Sequence, residues 1–334
     1  MKLLFTIAFI VATTCQAAEL FRVEVEGKFG YINRNGVVVI SPRDWVALSF
    51  SEGLAYVCIE QTHQFINSAG NVAFDVTFPE GISHAGYFSE GVCPVYTPFG
   101  VRYINRLGKP IFEKIFEKGY AFSDGLAAVK DNGAWGFINT NGEFVVRNEY
   151  DSAFPFSDGL AHVKRQGVWG IINTNGNILV EPQYPVTVPT PTEGISVVAE
   201  KGKWYFVDAS GRKVLANGYD AALCFRQGLA PVMITKKWGY INTSGQLVIP
   251  ATYESANEFS EDRAKVQIHG KYGFIDTTGR IVVEPRYEYA KCFKNGLAEV
   301  GNDSMMGYVD RFGKEIWWSP SEEREEKDSQ GKAE

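Results

Sequence analysis

The sequence predicts an all-β protein, a tandem array of about nine copies of one 34-residue, three-stranded β-meander. Three observations predict it. A Phe-x-x-Gly-Leu-Ala-x-Val segment recurs, with decay, from Phe50, Phe88, Phe122, Phe156, Pro191, Phe225, Phe259 and Phe293, at intervals of 38, 34, 34, 35, 34, 34 and 34 residues. A second segment, aromatic-Gly-aromatic-aliphatic-Asn/Asp, is counted from Phe29, His63, Val101, Trp135, Trp169, Trp204, Trp238, Tyr272 and Met306. The residue seven further on is glycine in all nine: Gly36, Gly70, Gly108, Gly142, Gly176, Gly211, Gly245, Gly279 and Gly313. Finally, glycine falls at 125, 133, 136 and 142 of a single unit. Each glycine inside a helix costs roughly 1 kcal/mol, so a period that would also suit a helix-pair repeat reads here as strands.

Within the unit that opens at Phe122, β-rich runs at 126–130, 135–139 and 144–147 alternate with Asn132-Gly133 and Asn141-Gly142, strong hairpin signals. A connector follows, such as Pro182-Gln183-Tyr184 or Pro285-Arg286-Tyr287. The phenylalanine of the next unit comes six residues after the tyrosine, as from Tyr150 to Phe156 and from Tyr219 to Phe225. These rings are expected to seal one meander against its neighbour, each contributing about 1.5–3 kcal/mol when buried. A lone meander has too little core, so neighbours must stack. Four-stranded propeller blades usually take about 40 residues or more, so a 34-residue unit favours an open, superhelical or solenoid-like stack; a closed, propeller-like ring is the alternative.

The array is expected to occupy residues 19–318. Before it, Met1-Lys2, an apolar run from Leu3 to Ala12 and small residues up to Ala18 describe a signal peptide, residues 1–18, cleaved after Ala17 or Ala18. The run is shorter than the ~18–20 residues of a membrane span. Thr13-Thr14 before Cys15 is a poor lipobox, which disfavours a lipoprotein. A periplasmic or secreted location follows. Loss of the leader removes one cation, Lys2, taking the formal charge from -6 to -7. With no basic block, the electrostatic attraction that drives nucleic-acid and anionic-membrane binding is missing. Residues 319–334 are charged and nearly free of apolar side chains, the composition of a disordered tail. Cys58, Cys93, Cys224 and Cys292 remain. Export permits disulfides, and the sequence leaves their status open, but burial as small hydrophobes is the preferred reading.

The Trp-Gly-Phe/Tyr-Ile-Asn core, its following glycine and the Phe-Ser-Glu/Asp-Gly-Leu-Ala-x-Val segment resemble the WG-containing repeat of bacterial proteins, from Glu19 to Trp318. The resemblance implies a bacterial, commonly exported β-repeat protein and brings no catalytic residues. The chain departs from the pattern in four places. The first unit lacks its opening Phe motif, and the second has His63-Gln64 for Trp-Gly. The third has Val101-Arg102 after a four-residue insertion, and the sixth is interrupted at 185–191.

Candidate chemistry is sparse. His162 holds a strand position that is Tyr56, Ala128, Pro231 or Glu299 elsewhere, which suggests solvent exposure. His63, His84 and His269 show no zinc-site spacing with cysteine. Glu52, Glu90, Asp124, Asp158 and Glu261 recur once per unit at one turn, as turn-forming residues do, whereas a glycosidase needs two carboxyls set apart by environment. Asn33, Asn67, Asn105, Asn139, Asn173 and Asn242 end a strand before a turn, where asparagine bonds its own backbone. No nucleophile elbow or phosphate-cradling loop occurs. No catalytic, metal or cofactor residue is therefore assigned, no cofactor is expected, and no ligand-binding residue can be named. Trp135, Trp169, Trp204 and Trp238 form a line along the array, read first as core and second as a ladder for sugars. The expected function is a non-catalytic scaffold binding another protein at or outside the cell envelope. A carbohydrate or cell-wall binding module using exposed aromatics is the alternative.

Overall fold

The computed structural model describes residues 19–302 and 305–320. The predicted leader, with Cys15, and all but two residues of the predicted tail lie outside the described residues. Those described contain no helix; their strands form nine small antiparallel sheets, one per sequence unit.

The fifth sheet shows the plan. Ser152–Ala153, Leu160–Arg165, Val168–Asn173 and Ile178–Tyr184 pair in chain order, and are called here the opening, first long, second long and closing strands. The meander thus has four strands where three were expected. The extra one is built from the connector, and one residue, Asp151, separates it from the previous closing strand. Residues 154–159 lead from it into the first long strand, and the last two of them make a tight turn. Asp158 and Gly159 both take positive φ (53° and 76°), while Ser157 and Leu160 exchange backbone hydrogen bonds, the tight geometry that matches strand twist. At the other end of the second long strand, Asn173 Oδ1 accepts from the amides of Asn175 and Asn177. The equivalent Asn or Asp does the same in all nine sheets.

The glycine of the Trp-Gly pair has a steric cause. The closing strand bulges over it, so a Cβ on Gly170 would lie 2.5 Å from the carbonyl oxygen of Val180 and 2.8 Å from the nitrogen of Pro182. Gly136, Gly239 and Gly273 are equally crowded by their closing strands. Where the glycine is replaced, the closing strand changes. Opposite Gln64 it pairs in regular register, His63 with Val76 and Gln64 with Asp75. Beside Arg102 and Tyr205 it is reduced to isolated bridges, Val101–Phe116 with Ile104–Pro110, and Trp204–Tyr219 with Val207–Lys213.

The core lies between sheets. In seven of the nine sheets an aromatic of the second long strand meets the opening phenylalanine of the next sheet, as in Tyr31–Phe50 (4.8 Å), Phe65–Phe88 (5.0 Å), Phe137–Phe156 (4.6 Å) and Phe274–Phe293 (4.7 Å). Tyr150 and Phe156 are buried as expected.

The array closes on itself. Val23, Ile32, Leu297 and Tyr308 form one buried cluster, the Phe21 and Tyr308 rings are 5.5 Å apart, and the Tyr308 hydroxyl donates to the carbonyl of Arg22 (2.8 Å). The closed ring is therefore the arrangement observed, and the preference for an open stack is corrected. The argument from unit length failed because the opening strand is so short, and its linker so brief, that a four-stranded sheet fits within 34 residues.

Candidate interaction surface

The two ends of the sheets differ, and the difference begins with the turns. On the face carrying the opening turns, consecutive sheets are joined by two series of hydrogen bonds. The hydroxyls of Ser51, Ser89, Ser123, Thr192 and Ser260 donate to the carbonyls of Phe88, Phe122, Phe156, Phe225 and Phe293 in the following sheet. The turn acids Glu52, Glu90, Asp124 and Glu261 accept from the amides of Gly91, Gly125, Gly159 and Gly296, and Asp158 from that of Glu193. The recurring acids are thus turn residues, as their spacing suggests, and they also tie each sheet to the next. A third group of acids, in the one-residue linkers, caps hairpins within a sheet: Asp151 accepts from Gly167 and Glu254 from Gly270. All these carboxylates are committed to structure.

The opposite face, with the hairpins between long strands, is more open. A cleft of about 560 Å³ lies between the third and fourth sheets, with Tyr96, Thr97, Pro98 and Phe99 on one side and Glu117, Lys118, Tyr120 and Trp135 on the other. Phe99 is 73% exposed and Tyr120 40%, while Trp135 is buried with its ring stacked on Tyr120 at 5.4 Å. A second cleft of about 580 Å³, between the second and third sheets, is lined by Cys58, His63, Phe78 and Ile82 among others. There the Tyr56 hydroxyl lies 2.6 Å from His63 Nδ1, and burial lowers the pKa of that imidazole. Both clefts flank the third sheet, in which Val101-Arg102 stands for the Trp-Gly pair.

The substitution of Arg102 for the motif glycine has a partner in the same place. Its guanidinium pairs with Glu80, in the insertion between the second and third sheets, and lies 5.1 Å from the Phe78 ring. Hydrogen bonding by Arg102 holds the Glu80 carboxyl below the usual carboxylate range. The insertion and the lost glycine are therefore one feature: the loop supplies the counter-charge for the arginine.

Two expectations about single residues are corrected. His162 is buried, not solvent-facing; it lies between the fifth and sixth sheets, with Nε2 3.0 Å from Ser196 Oγ and Nδ1 3.2 Å from Thr187 Oγ1. Burial pushes its pKa down to about 4. The position varies in sequence because each interface supplies its own complement: Lys265 there donates to the carbonyl of Ala290, and Glu299 accepts from Lys291. Of the four described cysteines, all free, Cys93 and Cys224 are buried and Cys58 is half-buried, but Cys292 is exposed. His63 lines the second cleft and His84 is stacked on Tyr96 at 4.4 Å, and among the described residues no cluster of His, Cys, Asp or Glu is placed to hold a metal ion. The tryptophan line is mostly half-buried. Trp169, for example, lies flat on Phe154 at 4.7 Å with the Lys164 ammonium 5.7 Å from its ring.

A closed, all-β ring of sequence repeats is the class these features define. The model of the WG containing repeat matches residues 29–61, 102–133, 135–168, 169–204, 206–238, 238–272 and 272–304, and the chain belongs to that family. The long internal gap between matches, 62–101, contains the weak second motif and the insertion. No curated protein matches the sequence. Among solved structures, the chain is similar in fold to a eukaryotic initiation factor, at 11% identity and a TM-score of 0.66 over 90% of this chain and 96% of that one. BamB from Moraxella catarrhalis is 12% identical with a TM-score of 0.49, covering 75% of this chain and 88% of its own.

Proposed function

We propose that the protein is a non-catalytic interaction scaffold, exported to the bacterial envelope or beyond, that holds another protein on the hairpin face of the ring. The observation that carries this is the cleft between the third and fourth sheets. It has an exposed Phe99, a half-exposed Tyr120, and Glu117 and Lys118 at its rim, an aromatic centre with a polar border of the kind that dominates protein interfaces. The commitment of the recurring acids to turns and inter-sheet bonds supports a binding role over a catalytic one. The leader in the sequence supports export.

The test is capture from envelope and culture-supernatant extracts by the processed protein, beside Phe99→Ala and Tyr120→Ala. A stoichiometric partner retained by the wild type and lost by both variants, with circular dichroism unchanged, is the expected result. A partner indifferent to both substitutions would falsify the assignment of this cleft. The Tyr120–Trp135 stack also favours a second reading, a platform for a sugar ring. Retention on purified peptidoglycan, lost in Tyr120→Ala or Trp169→Ala, would replace the first reading with that one.

A further inference from the structure

The first sheet differs from the others at the seam of the ring. Among the described residues it begins with its first long strand, Phe21–Val25, and that strand pairs with one neighbour, Lys28–Ile32. In the other eight sheets an opening strand lies along that edge. It carries a small residue, Ala47, Ala85, Gly119, Ala153, Thr187, Ala222, Ala256 or Ala290, and in seven of them a phenylalanine three positions on. Its backbone donates to the third residue of the pattern's Leu-Ala-x-Val stretch, as Phe154 does to the carbonyl of His162 and Asn257 to that of Lys265.

At the seam both roles are taken by substitutes. The carbonyl of Arg22, the equivalent of His162, accepts from the Tyr308 hydroxyl. The ring facing Tyr308 is not an opening phenylalanine but Phe21, at a position that is Ala55, Ala127, Ala161, Ala230, Ala264 or Ala298 in six of the other sheets and Cys93 or Ser196 in the remaining two. Phe21 is only half-buried, whereas those alanines are buried. Beside it remains a cleft of about 120 Å³, lined by Leu20, Phe21, Arg22, Phe50, Cys292 and Tyr308 among others.

We propose that this edge is a docking site for an extended segment of another polypeptide, one carrying a small residue and, three positions later, an aromatic. The segment adds to the first sheet as its opening strand. A free strand edge pairs readily with an incoming chain, with main-chain hydrogen bonds giving affinity and side-chain pockets giving selectivity. The eight internal opening strands show what the site accepts. In the repeat register neither flank of the chain supplies the aromatic: Thr13 and Gln16 fall at the two positions on one side, and Arg324 and Lys327 on the other. Burying those two charges unpaired is unfavourable. Phe21 acts as a plug that an incoming aromatic must displace.

The inference rests on the scaffold reading but uses a different surface. Its test uses the processed protein and a synthetic peptide copying residues 253–261, the opening strand of the eighth sheet, with a control peptide in which Phe259 is replaced by Ala. The readout is maleimide labelling resolved by mass spectrometry, because Cys292 lines the cleft and Cys58 does not. The peptide should protect Cys292 and leave Cys58 unchanged. Phe21→Ala should tighten binding by about fivefold or more, since it removes a closed state that competes with the ligand, and the control peptide should protect neither form. No protection of Cys292 in either the wild type or a folded Phe21→Ala overturns the proposal. The cleft variants at Phe99 and Tyr120 report separately on the hairpin face, so failure at one surface is not read as failure at the other.

Discussion

Gly170 shows how one missing atom fixes a motif. Its would-be Cβ is blocked by backbone, which cannot swing aside as a side chain can. Gly170→Ala should therefore lower stability to chemical denaturation by about 1–3 kcal/mol, the range of core overpacking. Gly125 has φ +78° but open space around it. Alanine there should cost only the left-handed strain, about 1–2 kcal/mol. His162 offers a pH test. Folded, it titrates near 4; unfolded, it titrates near its ordinary value of about 6.5. Between the two, the unfolded chain binds more protons, so its contribution is complete above about pH 6.5 and is lost as pH falls, by up to about 3 kcal/mol near pH 4. His162→Val, which copies the neighbouring unit's Val197, should remove that part of the slope in urea titrations run from pH 8 to 4. The role of the asparagines was legible in the sequence because each acts on its own turn; the acids were legible as turn residues, but not their bonds to amides of the next sheet. The burial of His162 was not, since its cover, Thr187 and Ser196, comes from the next unit.

At the level of the strand, the closing strand is the variable element. In the fifth sheet it runs unbroken over Ile178–Tyr184, whereas in the third and sixth it is reduced to bridges. Few ladder hydrogen bonds mean easier local opening. Amide exchange at 111–116 and 214–219 should be faster than at 178–184; equal protection would show that the bridges hold the strand as firmly as a full ladder. The sequence marked these places through the missing motif glycine and the insertion, without saying that the consequence fell on the strand opposite. The opening strand was hidden for another reason: two paired residues have no periodicity to read, and they fall between the connector's tyrosine and the next unit's phenylalanine.

The whole molecule depends on the seam. The count of repeats and the all-β class were legible because the register of nine glycines allows little else. Closure was not, because the contact between Tyr308 and Arg22 spans 286 residues and a pattern that repeats locally does not say which distant units meet. Tyr308→Phe removes the hydroxyl and should cost about 0.5–1.5 kcal/mol, the worth of one net hydrogen bond. Tyr308→Ala should cost more, because the Phe21 contact goes too. If thermal melts of Tyr308→Ala match the wild type, the seam contributes nothing to the ring.

The bonds between successive opening turns also bear on how such a protein can change length. An open solenoid gains or loses a repeat at its tip and leaves other interfaces as they were. Here each sheet fills one ninth of a full turn, and each turn acid reaches a specific amide in its neighbour. A duplicated unit has no end to occupy, and must wedge in by tilting every junction a little or by parting the seam. Unequal recombination, the easiest way for a repeat gene to drift, would then be filtered by geometry. Length should change in rare jumps to another whole ring, while the third and sixth sheets, whose closing strands are already loose, are where the first strain of a misfit count would be taken up.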